Sequence, residues 1–261
     1  MNEEQLKNDW IKLIETMKTL RSPGGCEWDL LQTHESLKPY LVEEAYEVLD
    51  AIDSGNDAEL SEELGDVLLQ VVFHAQVAND RAAFDIGEVV RILTDKLIRR
   101  HPHVFAKSPG YSYRQWEEIK AKEKKHGTEV VSSIGKINKA LPALSLARRV
   151  QENAAAVGFD WTRVDGPRDK IDEELHEVDS AIKSGMRDEI EEEIGDLLFT
   201  VVNLSRFVDV DPESALRKST EKFVNRFREM ESHIQKYGLE IESLTIDELN
   251  RLWEKAKEGT N

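Results

Sequence analysis

A stretch of 30 residues recurs in this chain at a constant spacing of 130, without a gap. Setting positions 43–72 against 173–202 gives sixteen identities. They are Glu43/Glu173, Glu44/Glu174, Glu47/Glu177, Val48/Val178, Ala51/Ala181, Ile52/Ile182, Ser54/Ser184, Gly55/Gly185, Glu59/Glu189, Glu62/Glu192, Glu63/Glu193, Gly65/Gly195, Asp66/Asp196, Leu68/Leu198, Val71/Val201 and Val72/Val202. Ordinary composition would give roughly two. An internal duplication of this size restricts the fold to two related units in tandem.

The periodicity inside the unit is helical. Leu41, Val42, Ala45, Val48, Leu49 and Ile52 follow the i, i+3/i+4, i+7 spacing of an amphipathic helix. Ser54-Gly55-Asn56-Asp57 interrupts it, and a second helix is expected over about 58–77, with Leu60, Leu64, Leu68, Val71, Val72 and Ala75 as its stripe. Further helices are expected over Ile86–Arg100, ended by His101-Pro102, and over 113–125. Strand signals are weak throughout. The expected fold is all-α: two tandem related helical-bundle lobes, 1–125 and 141–261, joined by a linker over 126–140 that contains Gly127 and Gly135 and runs up to Pro142.

Charge narrows the partners. The net charge is −17, with acidic residues interleaved among Leu, Ile and Val rather than segregated into a disordered run. No broad basic stripe exists to displace counterions from a nucleic acid, so nucleic-acid binding is not expected. Nor is docking on an anionic membrane, and no apolar run approaches the ~20 residues of a span. Cys26 is the only cysteine, and the N-terminus has no signal-like apolar stretch, so a soluble cytoplasmic protein is expected.

The first helix of each unit carries Glu-Glu-x-x-Glu and the second Glu-x-x-Asp. In the first unit Glu44/Glu47 and Glu63/Asp66 form two pairs; in the second, Glu174/Glu177 and Glu193/Asp196 do. Residues three apart share a helix face, and the Ser-Gly turn folds one pair back toward the other. Four carboxylates that close need neutralising. Their hard oxygens select Mg2+, Mn2+ or Ca2+; Mg2+, for which Mn2+ can substitute, keeps positions open for phosphate oxygens. Most acidic helix faces are merely solvated, and the three glutamates of the first helix lie away from its Leu41/Val48/Ile52 stripe. Duplication weighs against that reading. Exposed neighbours drifted (Asp53 to Lys183, Asp57 to Arg187, Ser61 to Glu191), while the carboxylates did not.

Cations and aromatics stand downstream of each set. Lys96/Arg100 and Lys222/Arg226 are i, i+4 pairs suited to clamp phosphates. Trp116 and Trp253 recur in similar settings and could stack on a base, although core packing is the commoner task for Trp. Lys170 lies one turn before Glu174, where the first unit has Tyr40. The second unit is therefore expected to do the chemistry. Glu173-Glu174-Leu175-His176 supplies one Glu-x-x-His of a di-iron bundle, but Tyr46 replaces the histidine in the first unit. A helical scaffold or regulatory protein with vestigial metal sites is the alternative from another class.

Several segments together resemble the MazG family of nucleoside triphosphate pyrophosphohydrolases, within the all-α pyrophosphohydrolase superfamily. They are the doubled acidic signature, Gly24-Gly25-Cys26-Glu27-Trp28-Asp29, Arg99-Arg100-His101-Pro102-His103-Val104-Phe105, Leu141-Pro142-Ala143-Leu144 and Val157-Gly158-Phe159-Asp160-Trp161. Glu27 departs from the family, which usually has Pro there. The resemblance implies hydrolysis of a nucleoside triphosphate to the monophosphate and pyrophosphate. It implies Mg2+ on Glu174, Glu177, Glu193 and Asp196, with Glu44, Glu47, Glu63 and Asp66 as first-unit equivalents. It further implies nucleotide contacts by Lys170, Glu189, Glu192, Lys222, Arg226 and Trp253, and a homodimer.

Overall fold

The computed structural model describes residues 2–106, 132, 134–135 and 137–259, with side chains to 257. The helix expected over 113–125, Trp116 and most of the expected linker lie outside the described residues. What is described is helical, with no strand, and falls into two compact units, 1–112 and 113–261.

Lobe one comprises α1 (Glu3–Leu20), α2 (Glu27–Leu31), α3 (Lys38–Ser54), α4 (Asp57–Asp80), α5 (Ile86–Arg100) and α6 (Pro102–Phe105). The α5 bounds are those expected from sequence. Asp85 caps its start by accepting from the Glu88 amide at 2.8 Å, and Pro102 ends it yet opens α6, where a proline at the first position loses no hydrogen bond. Lobe two comprises α7 (Ala143–Ala156), α8 (Asp165–Ser184), α9 (Arg187–Phe207), α10 (Pro212–Lys236), a short 3-10 turn (Ile241–Ser243) and α11 (Ile246–Gly259).

The duplicated pairs, α3/α4 and α8/α9, are closed by the same device. Gly55 and Gly185 take φ of +69° and +73°, a left-handed conformation that strains a residue bearing Cβ. The hydroxyl of Ser54 donates to Glu59 at 3.2 Å, and that of Ser184 to Glu189 at 2.8 Å. Each serine also accepts from the amide two residues on, Asn56 or Met186, at 3.2 Å. The repeated serine and glutamate thus fix the turn that brings the acidic faces together.

One apolar face of each pair is packed. In lobe one Met17, Leu37, Val72, Phe73 and Val77 form a buried cluster, flanked by Leu13, Leu68, Leu69 and Ile86. Arg21 seals it: its guanidinium lies 5.5 Å from the Phe73 ring centroid and pairs with Asp80 at 2.8 Å. In lobe two Val178, Ala181, Val202, Met230, Ile234 and Ala256 are buried. Gln151 on α7 donates to the Phe199 carbonyl of α9 at 2.8 Å, and Arg148 on α7 pairs with Asp211, the residue that caps α10. Trp161 rests on the first turn of α8, where a Cβ at Gly166 would come within 2.3 Å of its ring. The stripe read from sequence is only partly covered. Ile52, Leu64 and Val71, and likewise Ile182, Ile194, Leu198 and Val201, remain exposed. Helices of the same lobe cover one side of each pair and leave the other open.

Candidate metal centre

The Ser-Gly turns set the carboxylates of each pair face to face. In lobe two Glu174, Glu177 and Glu193 each offer an oxygen within 4.8 Å of the others. In lobe one Glu44, Glu63 and Asp66 do so. The two triads draw differently on the predicted sets. Asp196 and Glu47 stand outside them, yet near enough to act electrostatically. Burial, then Glu177, Glu174, Glu192 and Asp196, push the Glu193 carboxyl above its ordinary value. Burial, then Glu47 and Asp66, do the same to Glu63. Glu44 is raised by burial, by a hydrogen bond with Glu47 and by the charge of Asp66. Both clusters are crowds of carboxylates with oxygens within reach of one another. Their donors are all hard oxygens, the set that suits a divalent cation of the Mg2+ type.

The surroundings of the clusters differ. Glu174 is buried, 4% exposed, and its carboxylate receives the Lys170 ammonium at 2.6 Å. Lys170 also meets Glu173 at 2.9 Å, and these bonds push its pKa further up from the ordinary ammonium value. Tyr40, at the corresponding place in lobe one, packs edge-on against Trp28 with centroids 5.8 Å apart. The Gln70 side chain, one turn beyond Asp66, donates to Glu44 at 3.4 Å. Sequence reasoning missed Gln70; its i+4 spacing from Asp66 was the available signal, hidden because Thr200 fills the matching position in the second copy.

The other predicted residues are placed as follows. Glu189 is held at the turn by Ser184, and Glu192 is exposed one residue before Glu193. Lys222 is exposed on α10, and Arg226, one turn later, keeps a buried Nε without a hydrogen-bond partner. Trp253 on α11 lies against Phe223 of α10, with ring centroids 4.9 Å apart. His176 is exposed, with Nδ1 donating to the Asp172 carbonyl of its own helix, and it is not among the residues that converge with Glu174, Glu177 and Glu193.

The comparisons with known proteins fit this geometry. The sequence profile of the MazG nucleotide pyrophosphohydrolase domain matches residues 32–105 and 168–230, one segment on each duplicated helix pair. The nucleoside triphosphate pyrophosphohydrolase/pyrophosphatase MazG of Thermotoga maritima is 62% identical over 248 residues, 95% of either chain. The nucleoside triphosphate pyrophosphohydrolase of Escherichia coli is 42% identical over 253 residues, 94% of this chain and 96% of that one. A Mycolicibacterium smegmatis protein of the same name is 38% identical over 229 residues, 86% of this chain and 60% of its own length. With the profile on both helix pairs and relatives matched almost end to end, the chain belongs to the MazG nucleotide pyrophosphohydrolase family.

Proposed function

We propose that this chain hydrolyses nucleoside triphosphates to the monophosphate and pyrophosphate, with lobe two as the catalytic centre and Mg2+ held by Glu174, Glu177, Glu193 and Asp196. The observation that carries this reading is the Glu174/Glu177/Glu193 triad with Lys170 against its buried member. The ammonium is a stand-in positive charge, which marks the cluster as a place that requires a cation. When bound, Mg2+ supplies charge neutralisation and a more acidic water.

The chain's own residues provide the rest. Lys170, once freed from Glu174, has three N–H donors for a phosphate oxygen. Arg226 brings an unpartnered buried Nε and, with Lys222 one turn earlier, a phosphate clamp. The Phe223/Trp253 pair offers an aromatic wall to the base. Glu189 and Glu192 line the approach from α9. Catalysis on this reading is positioning and electrostatic stabilisation of the leaving pyrophosphate.

The test is pyrophosphate release from a panel of nucleoside triphosphates with Mg2+, with Mn2+ and with neither. Metal-dependent release that Glu193→Gln abolishes supports the assignment; no release from any nucleotide would falsify it. A second activity is favoured by the Thermotoga maritima relative, whose name includes pyrophosphatase. Orthophosphate release from inorganic pyrophosphate by the same protein tests it. A homodimer is also proposed, because the exposed apolar sides of the helix pairs suit a second copy; light scattering should give twice the chain mass of 29.8 kDa. The domain limits 1–125 and 141–261, with a linker between, belong to this proposal.

A further inference from the structure

We infer that His34, His74 and Arg81 form an acid-operated clamp on the segment that joins α2 to α3, releasing it from α4 in two proton steps. The rings belong to different elements: His34 to that connector and His74 to α4, with Arg81 at the end of α4. Both histidines are half-buried. Their Nδ1 atoms lie 2.8 Å apart, with the ring planes 11° from parallel. That is closer than the ~3.5 Å at which stacked faces touch, so the nitrogens meet edge to edge as donor and acceptor. On its far side His34 brings Nε2 to 3.2 Å from Arg81 Nη2. The connector is otherwise pinned at its ends: Arg21 donates to the Gln32 carbonyl at 3.2 Å, and Leu37 is buried. Between them the Thr33 amide donates to the Ser36 hydroxyl at 2.9 Å and the Ser36 amide to the Thr33 hydroxyl at 3.2 Å, so the segment presents His34 from a closed turn.

Chemistry fixes where the hydrogens sit. A guanidinium only donates, so His34 Nε2 must be a bare acceptor. Neutral His34 then carries its hydrogen on Nδ1 and donates it to His74, whose own hydrogen is left on Nε2. Arg81 thus sets both tautomers. A first proton can be taken by His34, or by His74 with the bond between the rings reversed. Either way, keeping that bond puts a hydrogen on His34 Nε2, facing the N–H groups of Arg81. The first proton therefore expels Arg81. The second makes both Nδ1 atoms donors and parts the rings, so the pair titrates as one unit in two steps. The surroundings do not offset this. Arg21 is taken by Asp80 at 2.8 Å and Glu35 by Lys38, and among the described residues no carboxylate bonds to either ring. Burial and the adjacent His34 hold His74 below its ordinary value, in keeping with a ring that is neutral when the clamp is closed. Lobe two has Val164 and Leu204 at the matching places, so the clamp is confined to lobe one. The inference stands apart from which lobe hydrolyses nucleotides.

The test uses the full chain without nucleotide. Nitrogen-15 NMR of the imidazoles at about pH 8, above the range in which histidine titrates, should show His34 protonated on Nδ1 and His74 on Nε2. Hydrogen exchange read by mass spectrometry, corrected for the intrinsic rate, should show the peptide over 27–37 losing protection as the pH falls from about 7.5 to about 5.5. A loss of about tenfold or more is expected, the linkage of a single pKa unit, while the α8 and α9 peptides keep their protection. Arg81→Gln, whose amide can turn its oxygen to accept from Nε2, should move that loss to higher pH. His34→Val should leave the peptide poorly protected at either pH. The tautomers, read on the unaltered chain, decide the matter even where a variant fails to fold. A hydrogen on His34 Nε2 at the higher pH overturns the relay. Protection that is equal at both pH values, or that falls equally in α8 and α9, overturns the clamp. An unmoved profile in Arg81→Gln overturns the part assigned to Arg81.

Discussion

Where lobe two sets Lys170 against Glu174, lobe one sets Tyr40 against Trp28. Other positions of the duplicated pair differ as well. Gln70, Phe73 and His74 on α4 correspond at the 130-residue offset to Thr200, Asn203 and Leu204 on α9. The turn and the carboxylates were retained, while beside them lobe one has an aromatic contact, Tyr40 on Trp28, where lobe two has the Lys170 ammonium. The pair itself is a frame, and the side chains outside the repeated carboxylates distinguish its two copies. At the position of Tyr40 and Lys170 lobe one has packing and lobe two has charge.

Substitutions can break this contrast, beginning with the core. Phe73 is 3% exposed, under Arg21, so Phe73→Ala should destabilise lobe one by about 3–5 kcal/mol. Asn203→Ala, at the matching half-buried position, should change stability by less than about 1 kcal/mol. Denaturant titration monitored on each variant checks the pair; equal losses would show that the lobes share one packing plan.

In activity, the largest effect is expected from Glu193→Gln, a loss of about 100-fold or more in pyrophosphate release, since a ligand should matter at least as much as an outer-shell partner. Glu63→Gln should lose less than about tenfold. If the order is reversed, the chemistry sits in lobe one. Lys170→Met should lower kcat/KM by about tenfold, ~1.4 kcal/mol, mainly through KM, because it removes a charged contact to phosphate. An unchanged KM would leave Lys170 as no more than a counterion for Glu174.

Much of this was legible in the sequence for reasons that can be named. Helix ends were readable where a local group sets them: Asp85 and Pro102 around α5, Ser54-Gly55 and Ser184-Gly185 at the turns. The carboxylate sets were readable because they survived a duplication. Which three of each four converge was not, since that depends on how far each pair of helices is rotated about its axes, and no local spacing encodes it. Nor was the burial of the stripe. Ile52 and Ile182 obey helical periodicity as well as any core residue but lie 53% and 57% exposed, because periodicity marks an apolar face without saying what covers it.

The smallest effect distinguishes the lobes by pH. His34 and His74 bring their Nδ1 atoms to 2.8 Å, with Arg81 against His34 Nε2 at 3.2 Å. Burial, then the neighbouring His34, lowers the pKa of His74 from 6.5. A folded-state pKa below the unfolded one favours the neutral ring in the native state. The contribution is therefore complete above pH 6.5 and is lost as the pH falls from there through the folded value. Lobe one should lose stability below that pH. Replacing the pair with the residues found at the 130-residue offset, His34→Val and His74→Leu, should flatten the dependence, as followed by denaturation across pH 5 to 8 (about the range in which histidine titrates).

The serine–glutamate lock at each turn bears on how such a chain avoids confusing its halves. With sixteen of thirty positions identical, α3 resembles α8 closely enough that it could find the wrong partner, the hazard of tandem repeats. A connection of a few residues closes far sooner than one spanning the roughly 130 residues between copies. By fastening that connection at its first contact, Ser54–Glu59 and Ser184–Glu189 let each helix commit to its neighbour before its double has come within reach.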